Sequence, residues 1–173
     1  MKKNSLKILG VFFGFIFTQI LPAQTRVAWM ELRNKSGGVM QLEPDFYYAH
    51  IAIQIGNQWL HAHPQRGVES VSKEILENLG EIKEVLVSNE EDSSYLKEVP
   101  YYFGRAFDSE FSWTDEKIYC AELIAKLLRV QPTPMHFDLK YWHPWFQKYE
   151  GKPGSSPSKL YYELLNRGYE KLQ

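Results

Sequence analysis

Residues 46–63 read FYYAHIAIQIGNQWLHAH, and this stretch decides the fold. Ile51, Ile53 and Ile55 alternate with His50, Ala52 and Gln54, the period of two that sends successive side chains to opposite faces of a strand. Gly56-Asn57 supplies a turn, and QWLHAH returns beyond it. A β-hairpin follows, with His50 on one strand and His61 and His63 sharing a face of the other. In a hairpin, one of that pair would lie across from His50 or diagonal to it.

Working outward, VAWMELR and GVMQL flank the turn-prone NKSGG and predict an earlier hairpin. VSKEILENLG predicts a short helix capped by Ser70 or Ser72 and stopped by Gly80. IKEVLVS predicts a strand, and NEEDSSYLKEV a helix that starts acidic and ends before Pro100. The spacing of Cys120, Ile124, Leu127 and Leu128 predicts a strong helix over 115–129, with Ser112, Thr114 and Asp115 as cap candidates. An aromatic loop, MHFDLKYWHPWFQKY, and a flexible GKPGSSPS lead to a last helix, KLYYELLNRGYEKL. Strands come before helices without βαβ alternation, so the expected class is α+β on an antiparallel sheet.

The N-terminus reads as a targeting segment. Lys2, Lys3 and Lys7 precede the apolar run ILGVFFGFIFTQI, and Ala23 stands at the expected cleavage position. A run of 13 residues is short for a bilayer span, so removal of residues 1–23 is expected rather than a retained anchor, with no stable membrane insertion afterwards. Residues 24–173 then form one domain with a net charge of −4, periplasmic or secreted. A mildly acidic chain without a basic stripe excludes nucleic acid as a natural partner.

Cys120 is the only cysteine, so an exported chain of this kind has no internal disulfide. A thiol near a helix N-terminus is favoured as the thiolate by the unpaired N–H groups and the positive dipole end, whereas a buried cysteine on an apolar stripe is often plain core. The histidines favour chemistry. A cysteine hydrolase needs a thiolate, an imidazole to take and return its proton, and a third polar group to hold the imidazole tautomer. His61-Ala62-His63 with His50 also fits a three-histidine zinc site, although that would leave Cys120 without a role. His136 and His143 fall in the aromatic loop and are expected to pack or to line a groove.

Two segments, AHIAIQIGNQWLHAHPQRGV and FGRAFDSEFSWTDEKIYCAEL, resemble the YiiX-like group of circularly permuted NlpC-type cysteine hydrolases, which have a papain-like fold. The resemblance spans most of residues 46–130, and KIYCAEL is its most specific part. The usual Gly-Asp-apolar-apolar-Phe strand is replaced by LEPDFYYAH, Gly-Lys-Pro-Tyr-Asp is reduced to GRAFD, and Ala121 stands where the group has serine.

The resemblance implies a permuted papain-like domain in which an antiparallel sheet or barrel packs against helices, including the one that bears the cysteine. The histidine precedes the cysteine in the chain. Cys120 would be the nucleophile, His50 the general base and His61 the third polar residue, with His63 as second choice, and no cofactor is called for. The Cys120 backbone N–H would then donate to an oxyanion. The implied reaction is cleavage of an amide bond, in a peptidoglycan stem peptide or similar peptide, through a thioacyl-enzyme. Lipid or N-acyl hydrolysis, or acyl transfer, at the same site is the second expectation. A non-catalytic cell-envelope binding module is the third. Trp59, His63, Trp113, Tyr119 and the YWHPWF segment are the expected walls of a substrate groove.

Overall fold

The computed structural model describes residues 24–90 and 92–172; the expected targeting segment, 1–23, lies outside the described residues. The strands are β1 (Arg26–Leu32), β2 (His50–Ile55), β3 (Gln58–His63), β4 (Gly67–Val71) and β5 (Gly80–Val87), followed by the two-residue strands β6 (Ala106–Phe107), β7 (Lys117–Ile118), β8 (Thr133–Pro134), β9 (Pro153–Gly154) and β10 (Glu170–Lys171). The α-helices are α1 (Lys73–Leu76), α2 (Val99–Tyr102), α3 (Cys120–Leu127) and α4 (Pro157–Asn166).

One antiparallel sheet runs in the order β10-β5-β1-β2-β3-β4. Its strand alternation makes two covered faces. Val27, Trp29, Ile51, Ile53, Leu60 and Ala62 pack against Leu123, Ile124 and Leu127 of α3 and Leu160 and Leu164 of α4. Ala28, Met30, Ala52 and Trp59 point the other way and are covered by Leu76 of α1. Sealing both faces is what lets a chain of this size hold a sheet without disulfides. The architecture is α+β, as the sequence order predicts.

The β2–β3 hairpin forms as expected, with Ile53 opposite Leu60 and Gly56 at a φ of 57° in its turn. Other elements differ. GVMQL is not a strand: only an isolated bridge joins Arg33 to Val39, because β2 and β5 already occupy both edges of β1. The short helix is α1, capped by Ser72 Oγ accepting from the Ile75 N–H, but it ends at Leu76, and Gly80 opens β5 instead of stopping the helix. A side chain at Gly80 would run into the Glu31 carbonyl of β1, so the strand needs glycine there.

The segment before Pro100 is a 3-10 turn, Ser94–Lys97, and Pro100 sits in the first turn of α2, where a missing N–H costs nothing. The cysteine helix starts at Cys120 rather than at 115, because Lys117–Ile118 pairs in parallel with β6. The expected caps are engaged elsewhere: Ser112 with Asp108, and Asp115 with Lys126. The last helix ends at Asn166, after which Gly168, at a φ of 84°, turns the chain so that β10 can pair with β5.

Candidate active site

Cys120 is the first residue of α3 and Tyr119 its N-cap, with the Glu122 carboxylate accepting from the Tyr119 N–H at 3.3 Å. The thiol is buried. Burial pushes its pKa up to about 11, and the backbone N–H groups of Ile51, Ala121 and Cys120 itself offset only part of that. This corrects the expected thiolate. The helix N-terminus does favour charge on sulfur, but the loss of solvent outweighs it. The resting group is a neutral thiol.

His50 begins β2, and its Nε2 lies 2.9 Å from Nδ1 of His61, with the two rings perpendicular. The diagonal contact expected of the hairpin is therefore made by His61. Desolvation pushes His50 down to about 3 and His61 to about 4, so both are neutral imidazoles near neutral pH. His63 does not join them. Its Nδ1 accepts from the backbone N–H groups of Gln65 and Arg66, and it borders a separate depression with Arg66, Glu69 and Ile75.

Sequence reasoning missed Glu69. It lies opposite His61 on β4, its Oε1 is 3.2 Å from His61 Nε2 without the alignment of a full hydrogen bond, and Arg66 grips both of its oxygens. The signal was the unrecognised strand GVESV, whose register sets Glu69 beside His61. Gly67 starts that strand at a φ of 77°, where a Cβ would overlap the Arg105 carbonyl oxygen that accepts from the Val68 N–H.

The histidines alternate onto the sheet face that α1 covers, whereas α3 packs on the other. Cys120 and His50 both line one cavity of about 330 Å3 at the end of the sheet where β2 begins. Among the described residues no hydrogen bond joins the two side chains. The cavity continues past Leu32, Met40 and Leu42 on one side and Phe111, Met135, Trp142 and Phe146 on the other.

Of the residues expected to wall a groove, Tyr119, Trp142 and Phe146 line this cavity, as does His136. The Tyr119 hydroxyl accepts from the Ser155 N–H at 2.7 Å, which ties the cavity wall to the start of α4. Trp59 is instead buried with Met30 and Leu76 on the α1 side, because its odd position on β3 faces away from α3. Trp113 borders a different surface depression with Tyr102 and Arg129, and Lys126 Nζ lies 4.9 Å from its ring centre.

The three histidines are not arranged as a zinc-ligand set. His50 and His61 direct ring nitrogens at each other, His63 Nδ1 is taken by backbone donors, and among the described residues no three His, Cys, Asp or Glu side chains converge as metal ligands.

No family profile matches the chain, and no curated protein matches it in sequence. In three dimensions it is similar to the crystal structure of metalloprotein yiiX (DUF1105) from Escherichia coli O157:H7, with a TM-score of 0.60 and 18% identity over 81% of this chain and 92% of that one. The chain has a YiiX-like α+β fold.

Proposed function

We propose that this chain is an exported cysteine hydrolase with a permuted papain-like plan, acting through a thioacyl-enzyme on Cys120. One observation carries the reading: the thiol at the start of α3 and a histidine already braced by a second histidine border the same cavity. His50 takes the thiol proton as sulfur attacks the substrate carbonyl carbon, then returns it to the departing nitrogen or oxygen as that bond breaks. Water cleaves the thioester in the second half. The Cys120 backbone N–H, in the first turn of α3 where it needs no helical acceptor, serves the oxyanion. With the thiol and the imidazole both neutral at rest, proton transfer accompanies attack instead of preceding it.

The cavity wall bears on the substrate. Glu43 is the acidic residue on it, and its carboxylate is already occupied by Ser156 and Ser158. Among the described residues the remaining wall carries no other acidic or basic side chain besides histidine and includes Leu32, Leu42, Met135, Phe111 and Trp142, which suits an apolar acyl group better than the charged stem peptide of peptidoglycan. Ester or amide substrates with an apolar acyl part are the better fit, and acyl transfer to an acceptor other than water uses the same intermediate.

The neighbour's description as a metalloprotein does not carry over, because the histidines here fail as a ligand set, and no step is routed through a metal. Export to the periplasm or beyond rests on the N-terminal sequence; among the described residues, no helix is long and apolar enough to cross a membrane.

The test is mass spectrometry of the intact protein after exposure to p-nitrophenyl esters of increasing acyl length. An acyl adduct on Cys120, lost in Cys120→Ser and strongly reduced in His50→Ala, is the expected result. No adduct with any ester, or an equal adduct in His50→Ala, rejects the proposal.

A further inference from the structure

The contacts around His61 place the protons of the whole line. Glu69 is held as a carboxylate by Arg66, whose Nε and Nη2 lie 2.6 to 3.0 Å from its oxygens. A carboxylate is an acceptor only. The Glu69 oxygen 3.2 Å from His61 Nε2 therefore repels a ring lone pair there and attracts an N–H. With the proton on Nε2, Nδ1 of a neutral His61 is bare and must accept. Its partner at 2.9 Å is His50 Nε2, which must then donate. His50, also neutral, has its one proton committed to that bond, so its Nδ1 is left without one.

We propose that Glu69 is a positioning residue that, through His61, sets the tautomer of His50 and leaves Nδ1 of His50 as the bare nitrogen that receives the Cys120 proton. The proposal rests on the hydrolase reading for its use, but not for its proton positions. Without Glu69 the His50–His61 bond can run in either direction, and in the reverse one His50 Nδ1 carries the proton and is useless as a base. His63 stands outside the line, because its Nδ1 accepts from Gln65 and Arg66. The far side of Glu69 faces the solvent-open depression beside Arg66, so the line runs from the buried site to the sheet edge.

The experiment is long-range 1H–15N correlation NMR of the uniformly labelled protein near neutral pH, which distinguishes protonated from bare ring nitrogens. In the wild type, His50 is expected to be protonated at Nε2 and bare at Nδ1, and His61 bare at Nδ1. In Glu69→Ala the Nδ1-protonated form of His50 should rise severalfold, because the carboxylate charge that holds the proton on His61 Nε2 is gone. Glu69→Gln keeps the shape should the alanine variant not fold. There Arg66 claims the amide oxygen, the NH2 turns to His61, and the line reverses. A proton on His50 Nδ1 in the wild type, or unchanged populations in the folded variants, overturns the proposal. The stated proton positions without any acyl adduct on Cys120 would defeat the hydrolase reading and leave this assignment standing. An adduct formed by a protein whose His50 carries the Nδ1 proton would do the reverse.

Discussion

His50 Nε2 and His61 Nδ1 are 2.9 Å apart with their ring planes at 90°. Two buried imidazoles so placed share one proton, and neither gains from a second. The contact fixes the ring of His50 at the mouth of β2, beside the cavity that the thiol of Cys120 also borders.

The thiol itself is the first point of test. Burial pushes Cys120 up to about 11, so its alkylation by iodoacetamide should follow an apparent pKa above the ~8.5 of free cysteine. A pH–rate profile with a midpoint below that value would mean a resting thiolate–imidazolium pair and contradict the neutral site.

The histidines make the fold acid-sensitive. Their folded pKa values lie below the unfolded value near 6.5, so the unfolded chain binds more protons as pH falls. Their contribution is complete above about 6.5 and is lost progressively as pH drops toward 3 to 4. Urea midpoints between pH 7 and 4 should fall less steeply in His61→Gln, by on the order of 2 kcal/mol at the acid end. Parallel curves would show that His61 is not buried as a neutral ring.

Glu122 acts in the opposite direction. Burial raises it to about 7 against the pull of Lys126, 2.7 Å away, so the folded state holds its proton where the unfolded chain has released it. The stability it contributes is full below about 4.5 and lost as pH rises to about 7. Glu122→Gln should therefore steepen the rise in urea midpoint between pH 4.5 and 7. A flatter rise would overturn the assignment.

Legibility differed with the length of the pattern. The β2–β3 hairpin was readable because six residues alternate cleanly and a turn separates them, and with it came His50 and His61 as neighbours. The cysteine helix was readable in its apolar stripe but not at its start, since Thr114, Asp115 and Glu116 imitate a first helical turn while Lys117–Ile118 pairs with a strand from elsewhere. β4 was missed because Glu69 and Ser70 interrupt its apolar residues, and Glu69 was missed with it. Trp59 and Trp113 show a limit of composition. An aromatic residue near a motif can belong to either face of the sheet, and only the packing of α1 and α3 decides which.

That difference of face separates two tryptophans by function. Trp59→Ala empties a packed site under α1 and should cost about 3–5 kcal/mol in urea unfolding while sparing acylation of Cys120 in the folded fraction. Trp142→Ala opens the cavity wall and should shift the preferred acyl length of the p-nitrophenyl esters. An unchanged ester preference would remove Trp142 from the substrate wall.

The position of β1 has a consequence for the order in which the chain acquires its structure. Among the described residues the first strand in the sequence is an interior one, with β2 along one edge and β5 along the other, and Arg26 is in register with Val87. Half of its backbone groups therefore wait for a partner some sixty residues away, while Val27 and Trp29 wait for α3 and α4. Such long-range pairing is slow, and an unpaired apolar edge invites association meanwhile. The sheet cannot close around β1 until β5 and the two helices that cover it have formed, so the central strand is the last to be sheltered.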